Sequence, residues 1–297
     1  VPEGASFEGV RRELVRAEVL SPRAPLALWA RLRGEDRRVR AGLYELSAAL
    51  SPLEILRALV AGETLAVRVT LPEGVTRERV FALLGESLEI PADSLRAAAA
   101  DTAWLSRLGV AAAGLEGYLF PDTYLWSPDA GARELLAELV RACLGRFDAA
   151  RDERLLEIGM TRHEALTLAS IVEAEVRDPL ERRRVAAVYH NRLRLGWPLQ
   201  ADPTVAYALG RPGRPLARAD LEADLPYNTY RRPGLPPGPI CSPGLACIDA
   251  VLWPLEGCED LYFVARGDGT HAFSRSLEEH NRRIRVIRAE RTARGAG

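Results

Sequence analysis

The chain has 297 residues, enough for two domains and a sizeable core. Its charge balances to −1 at a hydrophobic content of 47%, so no large polyelectrolyte partner is implied and nucleic acid binding is disfavoured. Its 40 Lys and Arg residues are all Arg, interleaved with Glu and Asp along helical stretches as on solvated helix faces.

From the N-terminus, residues 1–65 read as a small α/β unit. Ser6 can cap a helix over Phe7–Ala17, and a second helix covers Pro25–Arg33. Val39–Leu46 alternates apolar and polar like a strand. Ser51 before Pro52 opens a helix over Pro52–Ala61, and Leu65–Leu71 again alternates as a strand. VPEGASFEGVRREL at the N-terminus echoes LPEGVTRERVFALL at 71–84, two Pro-Glu-Gly turns that each lead into an amphipathic helix. Residues 66–114 then form a linking α/β stretch, Ala-rich and helical over 86–112. From 115 the composition changes: LEGYLFPDTYLW is dense in aromatics and carries Glu116 and Asp122.

A helix follows at about 130–147, and another from Arg162 to Arg177. The latter opens with the capping box Thr161-x-x-Glu164 and ends before Pro179. A helix over Leu180–Leu195 stops at Gly196. Residues 197–245 are rich in Pro and Gly, and their Tyr, Trp and Asn content marks a functional loop region rather than disorder. A strand at Leu261–Ala265, a turn at Gly267–Gly269, a strand through His271–Phe273 and a basic helix from Leu277 close the chain. The fold class is α+β.

The stretch LTLASIVEAEVR (Leu166–Arg177) holds the sharpest chemical signal. At 100° per residue Leu168, Ile171 and Val172 share one side, and Glu175 falls among them, whereas Glu173 lies beside Leu166 and Ala169. Desolvation on an apolar face raises a carboxyl pKa, and an acid still protonated near neutral pH can protonate a leaving group. The competing reading puts Glu175 at the rim of the face, paired with Arg177 or a distant Arg. The cysteines, Cys143, Cys241, Cys247 and Cys258, form no C-x-x-C pair, and no His spacing completes a zinc site; no metal or cofactor is expected. One disulfide among the last three is open against small buried thiols.

LASIVEAEV, VYHNRLRLGWPLQADPTVAYALG, YNTYRRPGLPPGPICSPG and LYFVARGDGTHAFSRSLEEHN, with the LEGYLFPDTY block, resemble in order the endolytic murein transglycosylases of the MltG or YceG-like family. The resemblance runs over roughly residues 115–285, implying a catalytic domain of helices and short strands over 115–297, and residues 1–65 look like the LysM-like module that precedes it. It implies cleavage of the β-1,4 bond between N-acetylmuramic acid and N-acetylglucosamine, leaving 1,6-anhydromuramyl ends. The family's catalytic glutamate falls on Glu175. The resemblance also suggests Asn228 holds the substrate or the oxocarbenium-like centre, and that Gln200 and Asp202 contact N-acetyl groups.

Tyr227 and Tyr230 offer rings and phenols suited to sugars. Glu116, Glu173 and His271 complete the expected substrate-binding set. Asp202 reads equally as a turn residue before Pro203, Glu116 as a capping carboxylate, and Tyr227 and Tyr230 as packed core residues. His271 and His280 match family positions but read chiefly as structural; His163 and His190 receive no role. One departure from the pattern is Val176, where relatives carry a hydroxyl after the glutamate, with Ser170 a possible substitute.

Peptidoglycan strands are the expected partner, with a cell-wall synthase as a second. No apolar run reaches the ~20 residues of a membrane span. The resemblance implies a single-pass anchor preceding Val1 and work at the extracytoplasmic membrane face. Two alternatives compete: a non-catalytic peptidoglycan-binding scaffold, and a hydrolytic glycosidase in which Glu116, Glu173 or Asp202 joins Glu175 as a second carboxylate.

Overall fold

A computed structural model of the chain describes residues 1–2 and 4–295. In order, the elements are α1 (Phe7–Arg16), α2 (Leu26–Leu32), α3 (Pro52–Ala61), β1 (Val67–Thr70), α4 (Arg77–Leu88), α5 (Ala92–Ala100) and α6 (Thr102–Arg107). There follow β2 (Thr123–Trp126), α7 (Ala132–Leu144), α8 (Ala149–Ile158), α9 (Arg162–Glu175), α10 (Arg182–Arg194), α11 (Asp202–Ala208) and α12 (Arg218–Glu222). The chain ends with α13 (Leu245–Leu252), β3 (Tyr262–Ala265), β4 (His271–Ser274) and α14 (Leu277–Gly295). Among the described residues, many helices with two separate two-stranded sheets, β1 with β2 and β3 with β4, make an α+β fold. Among the described residues no helix is long and apolar enough to cross a membrane.

The chain packs into two compact units. One comprises residues 1–69, 84–90 and 123–131, the other the remainder. Returns of 84–90 and 123–131 to the first unit interleave the two along the sequence.

Local rules account for the first unit's helices. Ser6 Oγ accepts from Gly9 N–H at the start of α1. Ser51 and Glu54 form a full capping box on α3, Pro52 occupies its first turn, and Gly62 closes it at φ +74°. α1, α2 and α3 bury Val10, Leu14, Leu26, Ala30, Ile55, Leu56 and Leu59 in one cluster. Val39–Leu46 is extended but unpaired, with isolated bonds such as Leu65 N–H to Leu43 O at 2.8 Å in place of a ladder. Alternation there reflects side chains packing on the helical cluster, where Val39, Tyr44 and Leu46 are half-buried; a strand needs a partner edge, and none aligns. The Ala-rich stretch 86–112 is likewise not one helix, since Pro91 and the capping Asp101 divide it.

The second unit is organised around α9. Thr161 accepts from Glu164 N–H while the Glu164 carboxylate accepts from Thr161 N–H, the expected capping box. From Ala165 to Val172 every residue of α9 is buried. The helix packs chiefly on α13, with α10, α11 and α8 around it. β3 and β4 form an antiparallel hairpin, Tyr262 opposite Ser274 and Ala265 opposite His271. The four cysteines are free thiols, and burial raises Cys143, Cys241 and Cys247 above the ordinary thiol range.

Candidate active site

Glu175 is the last residue of α9. Val176 leaves the helix in an extended conformation (φ −101°, ψ 122°), so the carboxyl emerges where the most deeply buried helix of the unit ends. Tyr189 of α10, 1% exposed, donates its hydroxyl to Glu175 Oε1 at 3.2 Å. Phe263 packs edge-on against the Tyr189 ring at 5.7 Å and fixes its orientation. Protein atoms crowd the carboxyl on most sides although it is partly open to solvent. Burial pushes its pKa up to about 7, with the negative charge of Asp202 adding to the rise; the Tyr189 hydroxyl and the Arg192 cation oppose it.

Two cavities share Glu175 as a wall. The first, about 340 Å³, is lined among others by Thr76, Asp202, Tyr207, Arg214 and Ile240. The second, about 280 Å³, is lined by Arg177, Ala265, Gly267, Gly269, Thr270 and His271. No other lining residue is common to both.

Of the residues expected beside Glu175, Asp202 and Tyr230 come together. Asp202 is the exposed first residue of α11, not a simple turn residue, and Tyr230 donates to its Oδ1 at 2.6 Å. Burial and the facing Asp202 carboxylate raise the Tyr230 phenol far above its ordinary range, so it stays a donor. Gln200 precedes them, exposed, with the left-handed φ of +52° that non-glycine residues adopt at some cost. His271 is 9% exposed and lines the second cavity; its Nδ1 lies 2.6 Å from Glu181 Oε2, which leaves Nε2 as its remaining polar atom. Tyr227 stacks obliquely on Tyr207 at 5.1 Å, one residue behind the first cavity's wall.

Three expected contacts take other positions. Asn228 is fully buried and gives both amide hydrogens to the carbonyls of Leu221 and Ala223, at 3.0 and 2.7 Å; its Oδ1 accepts from Tyr230 N–H. With its amide so engaged and buried, it shapes the loop that carries Tyr230. Glu173 accepts from Gly244 N–H at 2.9 Å, capping α13. Glu116 accepts from Arg77 N–H at 2.8 Å at the start of α4 and from the Tyr207 hydroxyl at 3.0 Å. Neither glutamate lines either cavity.

Val176 is 7% exposed, so the position takes an apolar side chain into the core. Ser170 does not substitute for a hydroxyl there: it is fully buried, donates to Thr167 O and accepts from Ile240 N–H at 3.0 Å. His280 stacks on Tyr262 at 5.2 Å. His163 links Tyr118 to the Pro237 carbonyl, and His190 lies 2.8 Å from the Val251 carbonyl.

Sequence reasoning passed over Tyr189, Arg192, Tyr207 and Arg214, and weighed Arg177 only as an ion-pair partner of Glu175, a pairing absent among the described residues. One signal was present for the first two. Tyr189 and Arg192, three apart, share a helical face with Val185 and Val188, and a Tyr and an Arg on an apolar face need buried partners.

Asp202→Asn removes a negative charge that holds Glu175 protonated. If the protonated acid is the active form, the alkaline limb of kcat/KM moves to lower pH in this variant. A pH–rate profile reads the shift; an unmoved limb refutes the electrostatic link.

The sequence profile of the YceG-like family matches residues 1–286. The endolytic murein transglycosylase of Bacillus subtilis (strain 168) is 29% identical over 298 residues, covering 95% of this chain and 82% of that protein. The endolytic murein transglycosylase of Streptococcus pneumoniae serotype 2 (strain D39) is 28% identical over 316 residues, and the match covers 57% of its length. A 2.6 Å crystal structure of a putative YceG-like protein from Listeria monocytogenes superposes with a TM-score of 0.67 at 31% identity, over 95% of this chain and 97% of that one. With its profile match and its fold in agreement, the chain belongs to the YceG-like family.

Proposed function

We propose that this chain is an endolytic murein transglycosylase in which Glu175 acts first as general acid and then as general base. One observation carries the reading: a carboxyl raised to about 7, on the wall shared by two cavities. An enzyme that cuts inside a strand has sugars on both sides of the broken bond, and two cavities sharing Glu175 give each side a place.

In the proposed reaction Glu175 gives its proton to the glycosidic oxygen as the C1–O bond breaks. The O6 hydroxyl of the same muramic residue attacks C1, and its proton returns to the Glu175 carboxylate. Atoms balance without water, and the acid is regenerated. The nucleophile is tethered, which removes the entropy cost of recruiting a water molecule. One carboxyl therefore suffices, consistent with Glu116 and Glu173 being occupied as helix caps. Tyr189 would hold the Glu175 carboxyl in place through both protonation states.

Asp202 favours a second reading. It lines the same cavity and its charge acts on Glu175, so it could activate water as the partner of a hydrolytic pair. Muropeptide mass spectrometry of digested glycan strands separates the two: anhydro ends, with no label taken from isotopically heavy water, support transglycosylation. Labelled reducing ends refute it, and strands bound without release of fragments favour a scaffold.

The substrate in this reading is nascent peptidoglycan at the extracytoplasmic membrane face, in company with a cell-wall synthase. The LysM-like role for residues 1–65 rests on the order of the sequence blocks; their three helices carry no strand among the described residues.

A further inference from the structure

Each cavity beside Glu175 holds an arginine that the protein leaves uncompensated. Arg214 lines the first and Arg177 the second. Both are exposed, and among the described residues neither guanidinium has a carboxylate within ion-pair distance. Their neighbours behave differently. In the same loop as Arg214, Arg211 binds Asp220 at 2.9 Å. Beyond Arg177, Arg182 faces Glu73 at 3.8 Å and Arg184 binds Asp260 at 2.7 Å. The acids lining the cavities, Glu175 and Asp202, accept from the Tyr189 and Tyr230 hydroxyls and pair with neither arginine. An unpaired guanidinium facing a cavity is suited to a carboxylate, which it can grip with two parallel hydrogen bonds.

The substrate supplies that group on both sides of the cleaved bond. Every second sugar of a murein strand is a muramic acid, and its lactyl arm ends in a carboxyl. That carboxyl is free on a bare strand, or extended into a stem peptide whose residues carry carboxylates. A strand lying across Glu175 has one muramic residue at the attacked C1 and another two sugars further on, beyond the leaving glycosidic oxygen. Both cavities therefore receive an anionic unit. We propose that Arg177 and Arg214 are carboxylate-binding residues, one on each side of the cleaved bond, that select muramyl strands over neutral glycans. The inference rests on the transglycosylase reading and names the substrate feature that this site recognises.

The test uses the full chain and its Arg177→Gln, Arg214→Gln and Arg→Lys variants. Four glycans serve as probes: peptide-bearing strands, strands stripped of peptides by an amidase, stripped strands with the lactyl carboxyls converted to amides, and chitin oligomers. The Gln variants are expected to raise KM about tenfold or more on the anionic strands, with kcat changed less than about twofold, because the lost bonds are charge-assisted and hold the ground state and transition state alike. The Lys variants recover part of the loss, and amidated strands and chitin oligomers show no difference between variants and parent. A penalty on stripped strands assigns the lactyl carboxyl; a penalty confined to peptide-bearing strands assigns the stem peptide; both support the proposal.

An unchanged KM on every anionic strand, or an equal penalty on neutral glycans, overturns it. Strand binding is measured by co-sedimentation in parallel, so the arginines are tested even without turnover. If the parent chain cleaves no strand, the functional reading fails. If it cleaves strands with the arginine variants unimpaired, only the carboxylate sites fail.

Discussion

Glu175→Gln is expected to lower turnover of glycan strands by about 10²–10⁴-fold, the range spanned by a positioned general acid–base. Glutamine keeps the shape and accepts the Tyr189 hydroxyl bond, so strand binding measured by co-sedimentation stays within a few fold. Residual anhydro product at the parental rate would remove Glu175 from the mechanism.

The same variant makes a second, independent claim. The carboxyl pKa rises from 4.5 in the unfolded chain to about 7 in the folded protein. Between those values the native state holds a proton that the unfolded state releases, so stability falls as pH rises through the window and stays lower above it. Gln carries no such charge. At pH 8 the variant is therefore expected to unfold at a higher temperature than the parent, and at pH 4 the difference closes. A lower Tm at both pH values would show that Glu175 is not held in a site that disfavours its charge. Gain of stability on loss of an active-site acid is the usual trade between the two.

The largest loss of stability is expected from Arg192→Met. Arg192 is 7% exposed and donates to the carbonyls of Leu261 at 2.8 Å and Leu199 at 2.6 Å. Its guanidinium lies over the Tyr262 ring at 5.4 Å. It thus ties α10 both to the segment entering β3 and to the segment entering α11. Methionine fills much of the volume but leaves two carbonyls without donors, at about 1–3 kcal/mol each. The expected loss is about 3–5 kcal/mol, a fall in Tm on the order of 10 °C by thermal denaturation. Removing this cation also takes away a charge that lowers the Glu175 pKa, so the pH profile of any surviving activity moves to higher pH. A Tm within about 2 °C of the parent's would show that water replaces the guanidinium without cost.

Glu175 itself was reached by an argument the structure revises. Periodicity placed it on an apolar face and put Glu173 elsewhere. Yet Ala165–Val172 is buried all the way round, so no single apolar face exists to tell the two acids apart. What separates them is partners. Glu173 meets the Gly244 amide, 71 positions away in sequence, and becomes a cap. Glu175 meets a buried tyrosine and two cavities. Asn228 was hard to place for a related reason: an amide in a loop can serve ligand or backbone, and only the folded loop shows both its hydrogens turned inward.

The strand expected at Val39–Leu46 shows the same limit, since alternation is local while pairing needs an edge from elsewhere. Helix caps behave oppositely. Ser6, Ser51 with Glu54, and Thr161 with Glu164 were legible because donor and acceptor lie within three residues of each other.

Interactions that close over a few residues were thus written into the chain directly: where α1, α3 and α9 begin, and that an acid follows a long apolar run. Contacts between separate elements were set by packing. These include the tyrosine that holds Glu175, the carbonyls that hold Arg192, and the two arginines left without acids. A side chain's partner, and with it the proton affinity of a carboxyl, depends on desolvation and neighbours that exist only once distant segments have met.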